Sequence, residues 1–246
     1  MLRPRIAAAL GALLYCALAI AAGRDRQRTH APDSSVESFT ANNVPVLDAL
    51  LKLGRQQHIA LGIDYVDLAA AERPISVSLE HVTVARALDA ILAHQRGYVW
   101  GLGDGVVVVS QQGAPAGARN LLDFVLPSFS VRRCTLQEAS HALEMDLGVA
   151  LHPQTKGIVG DYRPGNTSTM VGPLHLHAIT VRQVLDRLVL DAGVAAWMAQ
   201  VPPADIHELP SRGLWRLIDF TDPASLREVD HLRQSLRGYE SARGRS

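Results

Sequence analysis

The sequence predicts an α+β protein made of two small tandem domains. Each would run strand, helix, strand, strand, helix and closing strands. Three observations carry this expectation. Apolar runs with period two alternate with capped segments whose apolar residues recur every three or four positions. That order of segments occurs twice along the chain. A stretch rich in Gly, Ala and Pro at 111–120 separates the two copies as a linker.

Residues 1–23 stand apart from the folded body. Arg3 and Arg5 make a short positive start, and 6–22 carries no charge. Ala19 and Ala21 place small residues at the −3 and −1 positions of a signal-peptidase site. The expectation is a signal peptide cut near Ala21 and a periplasmic protein. A retained inner-membrane anchor is the alternative. The apolar run is at the short end of the ~20 residues a span needs, and Arg24, Arg26 and Arg28 oppose export of the chain behind them. A lipid attachment at Cys16 is set aside, because Tyr15 stands where a small residue is wanted. Residues 24–36 are polar, contain Pro32, and read as a flexible leader.

The first domain is expected over 37–110. A short strand at 37–40 leads to Asn43 as a helix cap and Pro45 at an early helical position. Val46, Leu47, Leu50, Leu51 and Leu53 then form one apolar stripe, ending near Gln57. A strand at 59–63 ends at Asp64. Residues 75–79 alternate apolar and polar, as a half-buried strand does. Thr83 caps a second helix with Val84, Leu88, Ile91 and Leu92 inward. Gly103, Asp104 and Gly105 turn a hairpin between 99–100 and 106–109.

The second domain is expected over 121–222. Residues 124–132 read as a strand, with Pro127 at an edge or bulge. Thr135 and Glu138 have the spacing of a capping box. A strand is expected at 149–151, a Gly- and Pro-rich loop after it, and another strand at 174–177. Thr180 caps the last long helix, with Val181, Val184, Leu185 and Leu188 inward. Segments 195–201 and 214–220 close the unit as a hairpin. Beyond it, Leu226, Val229, Leu232 and Leu236 suit a short amphipathic helix before a frayed tail, within 223–246.

The two copies align residue by residue. At an offset of 97, Leu79, Thr83, Leu88, Asp89 and Trp100 meet Leu176, Thr180, Leu185, Asp186 and Trp197. Nearer the start of each copy the offset is 90: Val46, Leu53 and Ile59 meet Leu136, Leu143 and Val149. The difference places an insertion of seven residues in the second copy's middle loop, where insertions are tolerated.

Composition excludes several function classes. Lys and Arg total 24, equal to Asp and Glu, so no basic footprint points to nucleic acid. Removal of the first segment leaves 22 basic against 24 acidic side chains and Cys134 as the single thiol, so no intramolecular disulfide can form. His175 and His177 lie two apart on one strand face, a spacing compatible with a metal, and His152 could join them. A solvated strand face explains the same pair, and no third ligand has fixed spacing, so no metal or other cofactor is expected. Cys134 and His141 lie seven apart, too far for a nucleophile and its base on one helix. Gly101, Gly103 and Gly105 precede a strand, whereas a phosphate loop precedes a helix. Asp48, Asp89, Glu138 and Asp186 read as helix-dipole partners. No catalytic residue is expected. Trp100, Trp197 and Trp215 are candidates for interaction, each serving as a core residue or as an exposed docking anchor.

The first copy resembles the N-terminal short domain of secretins and TonB-dependent receptors, the STN domain. The resemblance rests on Val44, Pro45 and Val46 at the first helix start, and on Ile63 and Asp64 ending a strand. It rests further on Val77 to Leu79 leading through a short turn to the helix that Thr83 begins, and on the closing hairpin of valines. It covers about 37–110, and the second copy resembles the domain more weakly, with His152 and Pro153 where the Asp would be. The resemblance implies a periplasmic, non-enzymatic module that docks envelope proteins. Those would be secretin or outer-membrane receptor components, or inner-membrane signalling, pilus or secretion proteins. Nucleic acid is not among the expected partners, and the membrane is met through an uncleaved N-terminal segment alone. Two alternatives stand beside it: a metal-binding or hydrolytic envelope protein centred on His175 and His177, and a structural spacer held by a retained N-terminal helix.

Overall fold

The computed structural model describes residues 31–65, 72–112, 121–151, 168–193, 195–200 and 215–222. The expected signal segment, most of the leader, nearly all of the linker, the loop after His152, the loop at 201–214 and the C-terminal helix lie outside the described residues.

In the first half, strand β1 (Ser35–Pro45) is longer than the four residues expected. It pairs antiparallel with β3 (Pro74–Thr83), with a bulge between Ala41 and Val44. Asn43 sits in that bulge at φ 50°, and its backbone N–H donates to Ser76 Oγ. The N-cap of α1 (Val46–Gln57) is therefore Pro45, not Asn43, and no side chain caps it. Strand β2 (Leu61–Tyr65) comes next. Thr83 caps α2 (Val84–Leu92) by accepting the Arg86 N–H. Strands β4 (Tyr98–Gly103) and β5 (Val106–Gln111) form the expected hairpin. Asp104 and Gly105 both take positive φ, as a two-residue turn matched to strand twist requires.

The second half repeats this order, except that no strand in the place of β2 lies among its described residues. Strands β6 (Val125–Val131) and β7 (Cys134–Thr135) lead to α3 (Leu136–Leu151). Thr135 and Glu138 close the capping box: the Thr135 N–H donates to Glu138 Oε2 at 2.7 Å and the Glu138 N–H to Thr135 Oγ1 at 3.2 Å. Strands β8 (Met170–Val171) and β9 (Leu174–Thr180) come after it, then α4 (Val181–Ala192) behind a second capping box of Thr180 and Gln183. Strands β10 (Ala195–Gln200) and β11 (Trp215–Asp219) pair as the expected hairpin. The strand expected at 149–151 is instead the last turn of α3, with Val149 51% exposed. Three apolar residues are too few to distinguish period two from period 3.6, and the helix simply runs on through Gly148.

Strand registers reproduce the repeat. Phe39 faces Leu79 in β1–β3, and Phe129 faces Leu176 in β6–β9. Val36 with Val82 corresponds to Leu126 with Ile179. The pair Val44 and Ile75 corresponds to Cys134 and Val171, whose offsets are 90 and 96. Six of the seven inserted residues thus lie before β8, and the seventh lies between β8 and β9, at Gly172 and Pro173.

The halves do not form two separate central sheets, as the tandem reading expected, and each of the two cores takes residues from both halves. One five-stranded sheet runs β11-β10-β2-β5-β4, and β2 of the first half pairs parallel with β10 of the second. Its inner strands β10, β2 and β5 are buried on both faces, as Val106, Val107 and Val109 of β5 show. Leu61, Ile63, Val107, Val109, Ala196 and Met198 pack with α1, α2 and the β1–β3 ribbon. Ala60, Val106, Ala195, Trp197 and Ala199 pack with α3, α4 and the β6–β9 ribbon. Each helix pair therefore lies between its own ribbon and the shared sheet. This sandwiching explains why α1 and α4 each bury seven residues, more than a single stripe.

Candidate functional site

Two of the buried carboxylates, Asp64 and Asp186, lie at the seam between the halves. Asp89 and Asp186 stand at the sixth position of α2 and α4, too far along for the N-terminal dipole. Each instead accepts an indole N–H from the strand after its helix: Trp100 Nε1 to Asp89 Oδ1 at 2.8 Å, and Trp197 Nε1 to Asp186 Oδ1 at 2.7 Å. Asp48 and Glu138 do lie in first turns, as expected.

The two Trp–Asp pairs differ in what covers them. Trp197 is fully buried and Asp186 is 3% exposed. Across the parallel ladder Trp197 faces Gly62, and a Cβ at Gly62 would collide with the indole. The Arg182 guanidinium lies 5.7 Å from the Trp197 ring centroid. It pairs with Asp64 of β2 at 3.0 Å and reaches Asp123 at 3.5 Å. Burial pushes the Asp186 carboxyl up to about 6, although the Trp197 N–H and Arg182 favour its charged form. Burial also raises Asp64 above the ordinary carboxylate range, with Arg182 opposing. Trp100, by contrast, is half-buried and Asp89 exposed.

Of the three tryptophans, Trp100 alone presents surface. Trp215 is 2% exposed, and its N–H donates to Ser140 Oγ at 3.1 Å. Trp197 and Trp215 are core residues in this structure, since burying a ring beneath a helix with its N–H satisfied leaves no face for a partner.

His175 and His177 share the solvent face of β9, opposite Ser130 and Ser128. His175 Nδ1 lies 2.5 Å from Ser130 Oγ. His152 lies outside the described residues, and among the described residues no three His, Cys, Asp or Glu side chains converge. Cys134 is half-buried at the start of α3, its thiol pushed up by burial and then by the Glu138 charge. Gly101, Gly103 and Gly105 belong to the β4–β5 hairpin and its turn.

The ends of the central sheet are unlike. Strand β11 ends it on one side and carries Arg216 and Asp219. Strand β4 ends it on the other with the uncharged sequence Tyr-Val-Trp-Gly-Leu-Gly. Among the described residues β4 pairs with β5 alone; Val99 is 39% and Leu102 46% exposed, and open space surrounds Gly101 and Gly103. Because Gly103 and Val106 close a two-residue turn, ladder alternation aims the backbone groups of Trp100 and Leu102 away from β5. Such an edge is a template for another strand. The seam joins the halves through β2 and β10, and the outer edge of β4 is left unpaired among the described residues. Sequence reasoning passed over Gly62 and Arg182; the one signal for them was Asp64, a carboxylate ending an apolar strand. Comparison with protein-family models, curated proteins and solved structures finds nothing that matches this chain.

Proposed function

We propose that the chain is a non-enzymatic protein-interaction module of the cell envelope, docking partner proteins along the open edge of β4. The observation that carries this reading is that edge: six uncharged residues, two of them exposed aliphatic side chains, on the rim of a sheet whose other strands are covered. Proteins blunt idle edges with charge, proline or bulges, and β4 has none of these. Export to the periplasm is supported by the positive start, the uncharged run and the small residues at Ala19 and Ala21. An export or surface-signalling assembly as the partner class is supported by the sequence resemblance of the first half to the STN domain. The test has two arms. Fractionation should place the tagged chain in the periplasm. Pull-down from envelope extract should recover a defined partner that a variant with Val99 and Leu102 both changed to Lys fails to recover. Recovery of the same partner by that variant, or of none by either protein, would sink the proposal.

A further inference from the structure

We infer that the β4 edge takes an extended segment of a partner protein, parallel to β4, with glycine opposite Trp100 and apolar residues on either side. This deepens the docking reading and rests on it. The internal repeat supplies the reason. Strand β10 is the counterpart of β4, and its antiparallel neighbour β11 is the counterpart of β5. The other edge of β10 is filled by β2, in parallel, with Ala196, Trp197 and Met198 facing Leu61, Gly62 and Ile63. The equivalent edge of β4 has no strand among the described residues.

The two indoles are held alike, each by the aspartate at the sixth position of the preceding helix. They differ in exposure because Gly62 and its strand lie on Trp197, while Trp100 is left half-open. A strand laid on β4 as β2 lies on β10 would cover Trp100 in the same way. Any Cβ opposite Trp100 would meet the ring, so the position selects glycine. A second requirement does not carry over. Arg182, which holds Asp64, has Ala85 as its counterpart, so the partner strand needs no carboxylate after its glycine. The ligand is thus an extended apolar–Gly–apolar segment in which no charge is required. Its backbone would bond to the outward groups of Trp100 and Leu102.

The probe is a heptapeptide with the chain's own 59–65 sequence, Ile-Ala-Leu-Gly-Ile-Asp-Tyr, added to the full chain and followed by amide hydrogen exchange. The expected result is slowed exchange confined to β4, at the Trp100 and Leu102 amides. It should be lost when the peptide's Gly is replaced by Val, and weakened at least tenfold in Leu102→Pro. Proline there removes an outward N–H and leaves the β4–β5 ladder intact. Equal binding of the Val peptide, or slowed exchange elsewhere, overturns the inference. So does a chain that self-associates with the β4 amides already slow before peptide is added. If Leu102→Pro still recovers the envelope partner, this inference fails while the docking reading stands. If the peptide binds as described but no envelope partner is recovered, the docking reading fails instead.

Discussion

Asp186→Asn isolates the cost of a charge at the seam between the halves. The asparagine keeps an oxygen for the Trp197 N–H and removes the titration. Asp186 has an ordinary value of 3.8 and is raised to about 6 in the fold, with burial as the largest cause. The folded state therefore binds a proton more tightly than the unfolded chain. Its contribution to stability is fully present below pH 3.8 and is lost as pH rises through about 6. The gap is worth about 3 kcal/mol above pH 7. Any packing cost of the amide applies at every pH, so the comparison between two pH values isolates the charge. Urea unfolding of both proteins at pH 4 and pH 7.5 should show the variant gaining on the wild type by about 2–2.5 kcal/mol between them. Asp64, also raised by burial, leaves a residual slope of the same sign in the variant. A variant-to-wild-type difference that is the same at both pH values would refute the assignment of a buried, protonatable carboxyl to this position.

The same geometry sets three further outcomes. Gly62→Val drives a side chain into the Trp197 indole and should cost about 1–3 kcal/mol in urea unfolding; an unchanged midpoint would mean the strand does not lie on the ring. Arg182→Ala leaves Asp64, 3% exposed at its side chain, without its counter-charge. It should cost about 3 kcal/mol at pH 7.5 and less as pH falls and Asp64 takes a proton, so a loss independent of pH would point to packing alone. Thr180→Ala removes the hydroxyl of the α4 capping box and should lower stability by about 1 kcal/mol in thermal or urea melts, with Thr83→Ala doing the same at α2.

Local structure was legible because it depends on neighbours in the chain. Thr83, Thr135 and Thr180 declare helix starts because a side-chain oxygen three residues before an orphan N–H satisfies it wherever the helix packs. Asp104 and Gly105 declare a turn because they tolerate positive φ. The repeat was legible for the same reason, down to the Trp–Asp positions, since duplicated positions keep duplicated contacts. The expectations that failed were those a local pattern underdetermines. Asn43 has a capping side chain but sits in a bulge that the pairing with β3 imposes. The apolar residues at 149–151 suit a strand, yet continue α3. Asp89 and Asp186 resemble dipole partners until an indole N–H arrives from a strand eleven residues on.

The sequence by itself determined an α+β chain of two related halves, their caps, turns and apolar faces. Only the tertiary structure decided that β2 joins β10, merging the halves in one sheet, and hence that Gly62, Arg182 and Asp64 matter. Helix caps and side-chain periodicity are properties of adjacent residues. Which strand edge meets which depends on backbone groups that every residue shares, so the choice rests on long-range fit: an indole needing a glycine, and a buried carboxylate needing a guanidinium 118 positions away.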